Sequence, residues 1–246
     1  MLQPPLVCPV RITLVAAFAV ALVGVTGGCS YPKAVPTYEF VTAYDRMDDA
    51  YEPLLSLVYV ARPTALSCYR GLIVGPVEVG EQWVESPAEA RGYATFLRVV
   101  LRRELSALGK FDFVTLESDP ETDGAPSAGA LLLEGKITKF DTGSGTMRYF
   151  SYFLPFLQAG ATDLQIEGRI TEADTGRLVL EFVDRRRHLC NTPYGPNPSS
   201  FNDGFAMRVT ARETARCLAR FLEMGLEQMP PVALGETGAD AGKGQL

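Results

Sequence analysis

The chain contains a single histidine, His188. A histidine-based metal centre or a serine–histidine–carboxylate triad has almost nothing to draw on. No C-x-x-C pair exists, which removes the zinc-ribbon and thioredoxin-type readings. Positive charge is in deficit: 23 Lys and Arg face 29 Asp and Glu, a formal charge of −6 over 246 residues. That balance argues against nucleic acid as a main partner. It gives no global attraction to anionic lipid and leaves only local basic patches. Apolar runs of membrane-spanning length are also missing, the run from Ile12 to Val25 being too short to cross a bilayer as a helix.

That run is nonetheless the most informative part of the chain. Arg11 is the only charge before it, and small residues follow it into a cysteine: Val25-Thr26-Gly27-Gly28-Cys29-Ser30. A basic residue, a short apolar stretch and a small-residue exit make a secretory signal. With Cys29 directly after Gly27 and Gly28, the segment resembles a bacterial lipoprotein signal, although Thr26 stands where leucine is usual. The resemblance implies cleavage before Cys29 and acylation of its thiol. Aspartate after that cysteine retains such proteins in the inner membrane, so Ser30 resembles an outer-membrane sorting signal. The expectation is an exported protein, lipid-anchored through Cys29 on the periplasmic face of the outer membrane.

The cysteines sort accordingly. Cys8 lies in the signal and Cys29 carries lipid, which leaves Cys68, Cys190 and Cys217 in a compartment where disulfides persist. Cys68 opens the first strand and Cys190 follows the last. In an antiparallel meander those ends come together, so a Cys68–Cys190 disulfide is expected. Cys217, inside a helix, reads as a small buried thiol.

Residues 29–67 read as a lipid-anchored tether, broken by Pro32, Pro36, Pro53 and Pro63, whose aromatics lay part of it against the domain. The domain covers 68–229. Arg70–Val77 is a short apolar run ending in turn residues, a buried strand. From Pro87 to Leu108 the apolar period becomes helical, with Ser86 as cap, Pro87 at the first position, Glu89 at the third and Gly109 closing the helix. Strands follow at 110–116, 131–140, 163–172 and 177–185, the last two joined by Ala173-Asp174-Thr175-Gly176, where glycine accepts the positive φ of a hairpin turn. A second helix runs from about 200 to 228, and 230–246 reads as a disordered tail. The order β-α-β-β-β-β-α predicts an α+β two-layer sandwich: a mixed sheet with a parallel first crossover and both helices on one face.

Leu132-Leu133-Glu134-Gly135-Lys136-Ile137, Gly143-Ser144-Gly145-Thr146-Met147-Arg148, Gly160 and Glu172-Ala173-Asp174-Thr175-Gly176-Arg177-Leu178 carry a further resemblance. The stretch 68–225 is similar to uncharacterised bacterial lipoprotein domains of the TolB amino-terminal, LpoB-like and CsgG-like α+β type. The resemblance implies envelope assembly or transport support and transfers no catalytic residue.

Three constellations stand out. The segment 147–157 packs Arg148, Tyr149, Phe150, Tyr152, Phe153 and Phe156 into one loop, the residue types of binding hot spots. Such a loop is either a contact patch for a partner or a piece of core folded over the sheet. Arg208, Arg212, Arg216 and Arg220 recur every four residues, one stripe on the last helix, which either docks an anion or is a solvated face paired with Glu213, Glu223 and Glu227. Arg185-Arg186-Arg187-His188 reads as an anion site or a solvated strand edge. Gly143-Ser144-Gly145 lacks the phosphate-loop lysine, Ser144 has no base partner, and Glu134 and Asp141 are explained by strand alternation. No catalytic set, metal or cofactor is expected. The reading is a non-enzymatic envelope lipoprotein that binds another envelope protein. A lipid or small-molecule carrier is the alternative, and a hydrolase is the third.

Overall fold

Strand Gly71–Val84 (β2) is the hub of the architecture, pairing in parallel with a strand on each side. The computed structural model describes residues 32–61, 65–118, 129–144, 146–147, 160–188 and 203–226. The other elements are strands Leu57–Val60 (β1), Phe113–Leu116 (β3), Ala130–Asp141 (β4), Thr162–Glu172 (β5) and Leu178–His188 (β6), with helices Pro87–Ser106 (α1) and Asp203–Met224 (α2). They build one six-stranded mixed sheet in the order β1-β6-β5-β4-β2-β3, with the helices on one face: the expected α+β sandwich. β3 pairs in parallel with β2, as the strand–helix–strand unit requires, and β4-β5-β6 form an antiparallel meander.

Local chemistry sets these elements. Pro87 starts α1, where a missing N–H costs nothing. Ser86 holds the cap position, but its hydroxyl makes no capping bond. The face of α1 that enters the core is Ala90, Ala94, Leu97, Leu101 and Leu105, spaced three to four residues apart as an amphipathic helix demands. Helical spacing also places Phe96 and Val99 on the apolar face; Phe96 is half-buried and packs against the core, whereas Val99 is exposed. Leu72, Val74, Leu131, Leu133, Ile166, Ile170, Leu180 and Phe182 of the sheet meet that face and its α2 counterpart, Met207, Ala211, Leu218 and Leu222, in one core. At the β5–β6 hairpin Gly176 has φ +68°, as the turn requires. There Glu172 accepts hydrogen bonds from Tyr69, Thr175 and Arg177, and Arg177 above all holds its carboxyl down to about 2.

The opposite face of the sheet is covered by residues 33–47, hereafter the strap. Val35 and Gln165 exchange two hydrogen bonds of 2.7 Å, backbone N–H to side-chain oxygen and side-chain amide to carbonyl. Glu167, fully buried, accepts from the Thr37 hydroxyl, the backbone N–H groups of Phe40 (3.3 Å) and Val41 (3.0 Å), and the Tyr44 hydroxyl (2.6 Å). Val41, Tyr44 and Val183 form a second small core with Phe40 and Leu57 against it. Lys136 pairs with Glu39 at 3.2 Å, and Arg169 lies over the Phe40 ring at 4.8 Å. The chain then adds β1 to the sheet edge beside β6. A stretch whose prolines read as tether is therefore laid down as strap and edge strand.

Candidate functional site

The chemistry-bearing end of the sheet is set by its strand directions. β2, β4 and β6 run one way and β5 the other, so Val84, Asp141, Thr162 and His188 share one end, and Gly71, Ala130, Glu172 and Leu178 the other. Both helices follow strands that finish at the first of these ends. A cleft of about 440 Å³ opens there between the helices, lined by Glu89, Gly92, Tyr93, Phe96, Thr142, Gly204 and Arg208. The Tyr93 hydroxyl donates to the Gly204 carbonyl at 2.8 Å, tying α1 to the first turn of α2, and its ring packs against Phe140 at 5.1 Å. A Cβ at Gly92 would meet nothing within 4 Å, so the glycine widens the cleft. Aromatic walls with one carboxylate and one guanidinium at the rim suit a partly apolar ligand or side chain.

The arginine stripe is exposed along α2. Two of its members reach across the groove to the first helix: Arg212 lies 5.7 Å from the Phe96 ring centroid, and Arg216 is 3.6 Å from Glu104. The partners that the sequence suggests are Glu213, Glu223 and Glu227, the last of which lies outside the described residues. A second hollow of about 460 Å³ lies against Arg212, Glu213, Arg216, Cys217 and Arg220. Burial pushes the Cys217 thiol up, away from thiolate chemistry. The two helices together hold eight arginines against five carboxylates, in a chain of net charge −6.

The arginine run closing β6 is corrected by the structure. Arg185 clamps Asp163 with two bonds, 2.9 and 2.6 Å, and donates to the Lys33 carbonyl at 2.6 Å. Arg186 is buried against Asp184 at 3.0 Å. Both are internal ion pairs and neither is a solvated edge; Arg187 alone of the three is exposed. Glu134 and Asp141 are not a carboxylate pair: Arg169 holds the first at 3.0 Å, and the second accepts the Gly143 N–H at 2.6 Å. Ser144 accepts from the Met147 N–H at 3.4 Å.

Cys29, Arg148, Tyr149, Phe150, Tyr152, Phe153, Phe156 and Cys190 lie outside the described residues. Of the expected disulfide, Cys68 is exposed. The geometric ground for its pairing with Cys190 fails, because β2 and β6 run in the same direction. Cys68 precedes Gly71 at one end of the sheet, and His188, the last described residue of β6, stands at the other. Cys217 is buried, as its helix position implies. Among the described residues no three His, Cys, Asp or Glu side chains are grouped to hold a metal ion, and no helix is long and apolar enough to cross a membrane.

The family model "Domain of unknown function (DUF4410)" matches residues 89–190. No curated protein matches the chain. The structure is similar to that of the PelC dodecamer from Paraburkholderia phytofirmans (10% identity, 65% of this chain and 96% of that one, TM-score 0.41). It is similar also to protein XCC0632 of Xanthomonas campestris, of family model DUF330 (12% identity, 68% and 91%, TM-score 0.42). A third similar structure is lipoprotein GNA1162 of Neisseria meningitidis (12% identity, 57% and 94%, TM-score 0.31).

Proposed function

We propose that this chain is a lipid-anchored envelope protein, held in the outer membrane through Cys29, whose α+β domain binds another envelope component and catalyses nothing. The cleft between the helices is the observation that carries the reading. Tyr93, Phe96 and Arg208 gather there the residue types that dominate binding hot spots. Thr142 lines it, and the aromatic segment 147–157 follows five residues later in the chain. Recognition is carried by these aromatics and by Arg148 more than by the stripe, whose Arg212 and Arg216 are already engaged with Phe96 and Glu104. The resemblance to TolB-, LpoB- and CsgG-like domains points to the same class of work.

The test compares two variants of the lipidated chain in capture from cross-linked envelopes, with folding checked by circular dichroism. Phe150→Ser with Phe153→Ser should stay folded and lose the captured component. Arg212→Gln with Arg216→Gln should keep it. Loss of capture by the second variant alone contradicts the assignment to aromatics and makes recognition electrostatic. A second reading, a carrier of lipid or small apolar molecules, draws on the cleft volume of about 440 Å³, within the range of ligand pockets. Bound lipid co-purifying with the protein in amounts equal to it would favour that reading.

A further inference from the structure

Trp83 is the only tryptophan of the chain and is 47% exposed. It stands at the end of β2, on the face that carries the strap, opposite Lys139 of β4. The Lys139 ammonium is 5.7 Å from its ring centroid and 3.8 Å from Asp163. Asp163 is clamped by Arg185, and Arg185 holds the Lys33 carbonyl at 2.6 Å. A continuous set of contacts thus joins the exposed indole to the first residues of the strap. Only Ser30 and Tyr31 lie between Cys29 and Pro32, and the three residue steps from Pro32 to Cys29, fully extended, reach about 11 Å. A lipid on Cys29 would thus be tethered within that reach of Pro32, whose neighbour Lys33 is bound at this end of the sheet and not at the Cys68 end.

We infer that the Trp83 end of the sheet is a membrane-docking surface, seated in the interfacial layer of the leaflet that holds the Cys29 acyl chains. The inference rests on the proposed lipidation of Cys29. Tryptophan is the side chain suited to that depth, with an apolar ring and a polar N–H that favour the headgroup boundary. Lys139 beside it sets its ammonium between the ring and Asp163, so its charge is already paired within the protein. The charges beside the indole give no excess of positive charge: Lys139 stands with Glu85 and Asp141, and Asp163 pairs with Lys139 and Arg185. Contact is thus set by the indole and the anchor, not by attraction to anionic lipid. One acyl anchor fixes location weakly and orientation not at all; a second contact close by fixes the domain's orientation through high effective concentration.

The single tryptophan makes the test direct. The lipidated full chain is reconstituted into phosphatidylethanolamine–phosphatidylglycerol vesicles, with and without lipid brominated near the headgroup end of the acyl chain. Flotation with the vesicles reports the anchor, and tryptophan quenching reports docking. Trp83 emission should shift to the blue and be quenched by brominated lipid. In the double variant Trp83→Phe with Lys110→Trp, which moves the indole to the opposite end of the sheet, quenching should be lost. A wild-type chain that floats with unquenched Trp83 overturns the docking surface alone, as does equal quenching at both positions. A chain that does not float overturns the anchor, and the docking surface with it.

Discussion

Glu167 is the residue on which the strap depends. Its carboxylate is fully buried, and four donors converge on it, all from residues 37–44. Glu167→Ala leaves those donors facing a void, at about 1–3 kcal/mol for each buried group left unpaired. The expected outcome is release of the strap with the sheet intact: amide exchange at Phe40 and Val41 rises severalfold, while that of β4 and β5 is unchanged. Unchanged protection at Phe40 and Val41 would show the strap to be held by its apolar contacts alone. Tyr44 adds a pH dependence. Burial, then the Glu167 carboxylate, pushes its hydroxyl well above the usual tyrosine value, which is about 10. A folded-state value above the unfolded one gives stability that is complete below about pH 10 and is lost as pH rises beyond it. Denaturation midpoints measured through that window should fall, and should fall less in Tyr44→Phe.

At the scale of elements, two glycines with positive φ carry different loads. Gly176 (φ +68°) has nothing within 4 Å of where a Cβ would stand, so Gly176→Ala meets only the backbone penalty, about 1–2 kcal/mol. At Gly143 (φ +64°) a Cβ would lie 2.4 Å from the carbonyl oxygens of Gly160 and Ala161. Gly143→Ala should cost more than Gly176→Ala in urea denaturation, because it must also push β4 and β5 apart where the chain leaves for the aromatic segment. Equal costs would mean that the 160–161 backbone yields freely. The same elements show what the sequence could and could not reveal. The helical period of α1 and the Asp174-Thr175-Gly176 turn are local signals, and the sandwich follows from them. For the strap, the aromatics signal only that part of the stretch lies against the domain, and not which face of the sheet it covers. Asp163, Gln165 and Glu167 alternate with Leu164 and Ile166, which reads as a strand with one face in water, yet all five are buried. Alternation separates polar from apolar faces and cannot say whether a polar face meets solvent or a hydrogen-bonding chain. β1, four residues between prolines, gives too short a pattern to register. The strand-direction premise of the disulfide expectation fails for a related reason: the direction of β4 depends on its parallel pairing with β2, a non-local choice. The helical spacing of Phe96 reveals its packing against the core, but not the groove to Arg212 that also makes it a wall of the cleft.

For the whole molecule, charge and geometry divide the labour. The helix layer is the arginine-rich side of an acidic chain, and the cleft lies where both helices begin. The strap side carries Trp83 and the route to Cys29. A domain held to the bilayer at one end would still present its helix layer sideways to a neighbour in the envelope. The central claim, that the cleft between the helices is where this protein meets its partner, is tested most directly by site-specific photo-cross-linking in intact cells. A photoreactive amino acid replaces Phe96 in the lipidated chain, and in a control chain replaces Lys110, exposed at the opposite end of the sheet. The account predicts one discrete protein adduct from position 96 and none from position 110. No adduct from position 96, an adduct with lipid only, or the same adducts from both positions would contradict it.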